Sequence, residues 1–388
     1  MKFASKRRLV RRIGMTVAFL AIIPRAKGQA SREQTPLTSE KFFKNVKVLT
    51  GIPVNEFMTT MGFFSASLGY SCENCHGADS GLENYASENH EKKQIARKMI
   101  VMMGGINKAY FGGNQVITCY SCHRGGEHPK ATPSLSALYS PPPEEPGDIV
   151  QQAPKTSSAD QIFDKYIQAL GGREQLSTLI SFFAKGTSVG YGVTDEKSQV
   201  EIFAKAPGQR TTIVHTDTGD NLTAYDGHAG WMAGPQIAGP NIPVPVIPLT
   251  GGDLEGAKLD AELSFPSGIK QILGQWRVGF PSEIDDQEVQ VVQGVGDGGA
   301  LATLYFDAKS GLLVRMMRYT NSRVGRFPTQ IDYSDYREVA GVKIPFRWIV
   351  TWLDGREMFE LSDVQPNVKI DSGKFGKPAE PPIKPATQ

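Results

Sequence analysis

Val116-Ile117-Thr118-Cys119-Tyr120-Ser121-Cys122-His123-Arg124-Gly125, and upstream Cys72-Glu73-Asn74-Cys75-His76, are the stretches on which the reading of this 388-residue chain turns. Together they use all four cysteines, in two copies of Cys-x-x-Cys-His. That pattern is the attachment signature of c-type haem. The spacing has a chemical reason: two thiols add across the two vinyl groups of the porphyrin edge, and the next residue must be an imidazole that turns back to the iron. A single four-thiolate zinc site competes, since paired Cys-x-x-Cys units build such sites. Redox or structural disulfides compete as well. Both leave the histidine after each pair without a task. The expected cofactors are therefore two c-type haems, tethered through Cys72 and Cys75 and through Cys119 and Cys122, with His76 and His123 as iron ligands.

Working outward, each motif is preceded by a methionine-bearing helical pattern. The first reads Val54-Asn55-Glu56-Phe57-Met58-Thr59-Thr60-Met61-Gly62-Phe63-Phe64, with Asn55 as its expected cap and Phe57 and Met61 on one face at i, i+4. The second runs from about Glu91 to Ala109, with Ile95, Met99, Met102, Met103 and Ile106 as its apolar stripe and Gly112-Gly113 beyond it. The unit "helix with Met, loop, Cys-x-x-Cys-His" thus occurs twice, an internal repeat that predicts one haem against each helix. A methionine as second axial ligand raises the reduction potential and a histidine lowers it. Spacing alone does not choose between Met58 and Met61, or among Met99, Met102 and Met103, and a methionine in such a stripe is more often core packing. His90 and His128 are further candidates, in polar, loop-like surroundings.

Residues 42–126 resemble the haem-binding units of the cytochrome c subunit of photosynthetic reaction centres. The resemblance rests on Glu56-Phe57…Thr60-Met61, on Ser67-Leu68-Gly69 before the first motif, on Arg97-Lys98-Met99, and on the run Val116–Gly125. In that family the methionine of each aligned helix is the distal iron ligand, which implies Met61 paired with His76 and Met99 paired with His123. The family carries four haems, whereas this chain has cysteines for two, and the resemblance covers under a third of it.

Downstream the character changes. Pro129, Pro133, Pro141, Pro142, Pro143, Pro146 and Pro154 interrupt any helix or central strand, so 127–157 reads as a semi-rigid linker. A helix begins near Ala159, with Ile162, Phe163, Tyr166, Ile167 and Leu170 on one face and Gly171-Gly172 at its end. Alternation with period two then marks strands at Val200–Lys205, Thr211–His215, Val289–Gln293 and Leu301–Phe306. The clearest hairpin is Ile344–Trp352, Asp354-Gly355, Glu357–Leu361. Strands in regular succession with one helix predict a curved antiparallel sheet or open half-barrel over 158–376. Tyr225-Asp226-Gly227…Trp231, Phe306-Asp307…Gly311-Leu312-Leu313 and Asp335-Tyr336-Arg337…Gly341…Pro345 weakly resemble the lipoprotein-carrier fold family. That resemblance implies a cavity for a lipid or another hydrophobic molecule.

At the other end, residues 1–30 hold eight of the 42 basic residues and no acidic one, leaving 34 basic against 40 acidic in the body, a net of −6. A mildly acidic body gives no electrostatic footing for nucleic acid. The basic start, the apolar stretch Ile13–Ile23 and the small residues Gly28-Gln29-Ala30 read as an export signal, with an uncleaved signal-anchor as the alternative. Little else suggests chemistry. His215 and His228 are lone histidines, Asp285-Asp286 is a strand-like carboxylate pair, and the glycines between 294 and 299 lack the Lys-Ser/Thr of a phosphate loop.

The chain is therefore expected to be multidomain: signal peptide 1–30, a mostly α-helical dihaem cytochrome c domain 31–126, a Pro-rich linker 127–157, a β-rich (α+β) half-barrel-like domain 158–376, and a Pro-rich tail 377–388. The expected function is electron transfer by an exported, periplasmic or envelope-associated protein. Its partners would be redox proteins of the periplasm or membrane face, with a hydrophobic ligand in the C-terminal half. Two other classes stay open: a dihaem enzyme or gas sensor with one open iron, and a hydrophobic-ligand carrier whose haems are regulatory.

Overall fold

The fold begins with short helices and ends in one large sheet. The computed structural model describes residues 36–77, 85–140, 149–190, 196–217, 219–234, 246–296 and 299–380. The expected signal peptide, the prolines at 141–146 and the last eight residues of the tail lie outside the described residues. Helices come first: α1 (Ser39–Phe42), α2 (Val54–Leu68), α3 (Glu73–His76), α4 (Glu91–Tyr110), α5 (Cys119–His123) and α6 (Leu135–Leu138), then α7 (Ala159–Ala169) and α8 (Gly172–Thr178). The strands are β1 (Ser181–Val189), β2 (Ser198–Lys205), β3 (Gln209–Thr216), β4 (Gly219–Tyr225), β5 (Gly230–Ala233) and β6 (Ile247–Pro248). After α9 (Gly251–Ser264) come β7 (Gln275–Val278), β8 (Ser282–Ile284), β9 (Gln287–Val295), β10 (Leu301–Asp307), β11 (Leu313–Asn321), β12 (Arg326–Val339), β13 (Val342–Trp352) and β14 (Gly355–Pro366).

All fourteen strands join one antiparallel sheet, ordered β6-β5-β4-β3-β2-β1-β14-β13-β12-β11-β10-β9-β7, with β8 paired to β9. Two meanders therefore meet where β1 pairs with β14, Phe182 opposite Pro366 and Val189 opposite Met358. Ile202 and Thr212 from one arm and Ile331, Trp348 and Phe359 from the other line a common cavity, so the sheet curls around it. This matches the expected curved antiparallel sheet. The predicted strands are present and one to five residues longer at their ends, because terminal residues of a ladder carry weak side-chain signals. Asp285-Asp286 differs from expectation: it is the turn of the β8–β9 hairpin, with φ of +50° and +60°, not a strand pair.

The core sits between the concave face and the helices. Ser158 caps α7 in a reciprocal box with Gln161, and Ile162, Phe163, Tyr166 and Ile167 form the buried stripe. Phe163 meets Trp276 and Phe306 edge-on, with centroids 4.7 and 5.9 Å apart. Each such buried side chain contributes roughly 1.5–3 kcal/mol. The sequence suggested one helix in this half, yet α9 also crosses the sheet. Its buried face is Gly256, Ala257, Leu259 and Ala261, too small and broken a stripe to stand out against Glu255, Lys258 and Asp260.

The part before residue 126 is seated on the sheet through two hairpin tips. Phe63 of α2 packs on Phe327, centroids 5.2 Å apart. In the 322–325 turn, the Arg323 backbone N–H donates to Glu56 Oε1 at 3.3 Å and its guanidinium to the Thr50 carbonyl at 2.9 Å. Gly62 lies so close to Asp354, in the β13–β14 turn, that a Cβ there would sit 2.6 Å from the carboxylate. The C-terminal end of the expected linker is also attached, since the Ala153 N–H donates to the Val278 carbonyl at 2.9 Å and Val150 N–H to Gln293 Oε1 at 2.9 Å.

Candidate haem attachment sites and the cavity beneath them

Each Cys-x-x-Cys-His forms its own short helix. In α3 the His76 N–H donates to the Cys72 carbonyl at 3.0 Å, and Asn74 Oδ1 accepts from the Ser71 N–H at 2.8 Å. In α5 Thr118 and Ser121 cap each other reciprocally, and Arg124 and Gly125 turn the chain away with positive φ. All four thiols are unpaired; Cys72 and Cys122 are exposed, Cys75 and Cys119 half-buried. Burial raises the Cys119 thiol to about 11 and also raises Cys75, so both are thiols rather than thiolates at neutral pH. Among the described residues no three His, Cys, Asp or Glu side chains converge on one point, which speaks against one shared zinc site.

The two imidazoles share a feature. His76 Nδ1 lies 3.0 Å from the Tyr85 carbonyl, and His123 Nδ1 lies 3.1 Å from the Gly126 carbonyl. A carbonyl only accepts, so Nδ1 carries the proton and Nε2 the lone pair that an iron needs. The His76 ring also stacks on Tyr85, centroids 4.3 Å apart. Burial, helped by Lys93, lowers the His76 pKa, which keeps it neutral, the form that ligates.

The methionines separate by face. Asn55, Met58 and Thr59 line the barrel cavity, whereas Phe57, Met61 and Phe64 pack against the small core around Phe63. On α4, Ile95, Met99 and Met102 form an exposed apolar row at i, i+4, i+7, with Met99 38% exposed, while Met103 is buried in the small core with Phe63. An apolar row on a helix beside unpaired thiols and tautomer-fixed imidazoles fits the flat apolar face of a porphyrin. His90 precedes α4 as its cap residue and His128 is exposed. His215 of β3 lies with its Nδ1 2.7 Å from Asp220 Oδ1, and the His228 N–H donates to Asp226 in a turn.

Several residues that hold the two motifs escaped the sequence reading. Asn107, 4% exposed, donates Nδ2 to the Ile117 carbonyl at 2.7 Å and accepts on Oδ1 from the Ile117 and Val116 N–H groups at 2.9 and 3.2 Å. A polar residue in the last turn of an apolar-striped helix was its only signal. The C-terminal end of α2 meets the second motif where the Gly125 N–H donates to the Ser67 carbonyl at 2.9 Å; a Cβ on Gly69, at φ +67°, would lie 2.6 Å from the Gly125 carbonyl. Around the first motif, Glu88 receives Arg97 at 2.6 Å and Lys47 at 2.8 Å. These partners hold its carboxyl down at about 2. Lys92 bridges Tyr70 Oη at 2.9 Å and Glu127 at 3.3 Å.

Beneath α2 the curled sheet encloses a cavity of about 620 Å³, within the ~300–1,000 Å³ range of small-molecule sites. Phe182, Ile202, Ile331, Trp348, Phe359 and Leu361 give it apolar walls. It also contains charge. Arg318 Nη1 pairs with Asp260 Oδ2 at 3.0 Å. Arg210 Nη1 donates to Ser264 Oγ at 2.7 Å, and burial lowers the pKa of its guanidinium. Asp253 Oδ2 accepts from Asn55 Nδ2 at 2.5 Å, and Asn55 Oδ1, in a residue 7% exposed, finds no partner among the described residues. Burial raises the pKa of Asp253 and of Glu357.

Residues 11–159 match the family model described as the photosynthetic reaction centre cytochrome C subunit, and residues 277–362 match a family of unknown function. The photosynthetic reaction center cytochrome c subunit of Roseobacter denitrificans is 36% identical over 98 residues, 23% of this chain and 26% of that protein. The corresponding subunit of Rubrivivax gelatinosus is 31% identical over 96 residues, 24% and 25%. The chain thus spans about a quarter of the length of these curated relatives. Among solved structures, a LolA superfamily protein from Nitrosomonas europaea aligns over 57% of this chain and 99% of its own, with TM-score 0.39 and 14% identity. A lipoprotein-sorting protein domain from Vibrio parahaemolyticus gives TM-score 0.41 and 10% identity over 57% and 98%. The N-terminal part is therefore c-type cytochrome-like in sequence, and the C-terminal part has LolA-like structural neighbours.

Proposed function

We propose that this chain is an exported two-haem c-type cytochrome whose task is electron transfer. The observation that carries this reading is the repeated unit itself: a methionine helix, then Cys-x-x-Cys-His on a short helix whose imidazole is fixed at Nδ1 by a backbone carbonyl. Cys72 and Cys75 would tether one haem and Cys119 and Cys122 the other, with His76 and His123 as proximal and Met61 and Met99 as distal ligands. When bound, a c-type haem supplies a one-electron iron couple, and methionine ligation favours the higher part of its potential range.

The match to the reaction centre cytochrome family supports that pairing. α2 lies against α5, and α3 against α4, so each methionine helix touches the attachment helix of the other unit. α4 reaches α5 as well, and its Asn107 holds the Ile117 carbonyl just ahead of α5. The carbonyls of Tyr85 and Gly126 orient the rings, and the Glu88–Arg97 and Lys92–Glu127 pairs hold the surrounding loops. The relatives' names support a redox partner at a membrane face, and the basic-then-apolar N-terminus supports export to the periplasm or envelope.

The test is the visible spectrum of reduced, periplasmically matured protein, with and without carbon monoxide, beside a haem count. Two covalent haems and a low-spin spectrum unmoved by carbon monoxide are expected. A shifted spectrum would remove Met61 or Met99 from the ligands and favour an enzyme or gas sensor. The cavity favours a second reading for the C-terminal half, the binding of a hydrophobic molecule.

A further inference from the structure

The cavity is electrically graded along the strands. Arg210 pairs in register with Ala204, which faces Phe182, which faces Pro366. That row lies at the end of the sheet remote from the tips on which α2 sits. Lys343, at the start of β13, pairs with Glu338 and lies at the same remote end. Both Arg210 and Lys343 line the cavity. At the α2 end stand the two carboxylates Asp253, bonded to Asn55, and Glu357, two residues past the β13–β14 turn. Arg318 and Asp260, the remaining charged lining residues, neutralise each other between the ends.

Arg210 is the unusual member. A guanidinium carries five donors, and this one spends one on a neutral hydroxyl. Among the described residues no carboxylate forms an ion pair with it. Arg210 is half-buried, and Asp260, the carboxylate that acts on it, is already paired with Arg318, so an anion placed beside Arg210 would be held by its remaining paired donors. The walls between the two ends are aliphatic and aromatic. At the α2 end the cavity is lined by Met58, an adaptable apolar side chain that is itself 41% exposed.

We infer that the cavity is a site for a single-chain amphiphile with a monoanionic head, the head held by Arg210 and the apolar chain running toward Met58 beneath α2. This deepens the hydrophobic-molecule reading and rests on it. The wall the chain touches belongs to the haem-bearing part: Met58 is one turn from Met61 on the same helix. Filling the cavity and the state of that helix are therefore linked, and linkage is reciprocal.

The experiment titrates the full, haem-loaded protein with palmitate and with hexadecanol, the same chain without the charge, by calorimetry. Palmitate is expected to bind at least tenfold more tightly. Arg210→Gln is expected to erase that difference while leaving hexadecanol binding in place. Arg210→Lys, which keeps the charge but loses the paired donors, is expected to reduce it and serves if the Arg210→Gln variant does not fold. Hexadecyl sulfate, a monoanion with a different head, separates the head groups: binding comparable to palmitate supports the shared monoanionic requirement, and binding no tighter than hexadecanol overturns it. Equal binding of palmitate and hexadecanol overturns the head-group assignment and leaves the hydrophobic-molecule reading standing. No binding of either overturns both. Saturating palmitate is expected to shift the midpoint of one haem and not the other; two unmoved midpoints overturn the link through α2.

Discussion

The strand-rich half and the helical part before it are stabilised differently. The half-barrel buries one continuous cluster, from Ile162 and Phe163 through Leu304, Phe306 and Met316 to Phe359 and Val364. The helical part has a small cluster, Leu49, Ile52, Phe63 and Met103, completed by Val324 and Phe327 from the sheet. Three large apolar side chains of α4, Ile95, Met99 and Met102, are exposed. The half-barrel is thus stabilised by its own core, whereas the helical part shares its small core with the hairpin tips. A domain boundary drawn by composition would miss this shared core.

That contrast can be broken experimentally. All four tryptophans, Trp231, Trp276, Trp348 and Trp352, lie in the strand-rich half, so their fluorescence reports that half and the haem absorbance reports the other. The largest effect is expected from Cys119→Ala with Cys122→Ala. Intact mass should show one haem fewer, and the helical part should unfold ahead of the tryptophan signal, since α5 is held by α2 and by Asn107. Phe63→Ala comes next. It removes a buried aromatic at the junction and is expected to cost about 3–5 kcal/mol, with the haem-band transition in urea moving to lower denaturant more than the tryptophan transition. Coincident shifts would mean the two parts unfold as one unit.

Asn107→Ala is expected to cost about 2–3 kcal/mol, because it strands the Ile117 N–H and carbonyl; Asn107→Asp should recover part of this by still accepting. Glu88 gives a pH signature. Its folded-state pKa, about 2, lies below the ordinary value of 4.5. Its contribution is complete above the unfolded value and fades as pH falls from about 4.5 toward 2. Glu88→Gln should flatten the acid limb of the haem-band stability curve in that window and leave the tryptophan curve unchanged. The smallest effect is expected at Asp253, whose pKa is raised by burial. Its carboxylate opposes folding above the unfolded pKa, so Asp253→Asn, which still accepts from Asn55, should raise the melting temperature slightly at pH 7 and not at pH 4.

The sequence by itself determined the chemistry: the four thiols, the two imidazoles and the doubled unit are local patterns, and local patterns survive in one dimension. It also determined that a meandering sheet follows, since period-two alternation and Asp-Gly turns are set by neighbours along the chain. Asn55 shows where this ended. It read as a helix cap, but α2 starts at Val54 with Pro53 ahead of it, and Asn55 is buried against Asp253, 198 residues away. The same holds for α9, for the Phe63–Phe327 junction and for Met58, which reads like Met61 in sequence and faces the cavity. These were decided only in the tertiary structure, because which face of a helix is covered depends on partners far along the chain, and a hydrophobic stripe does not say which partner it meets.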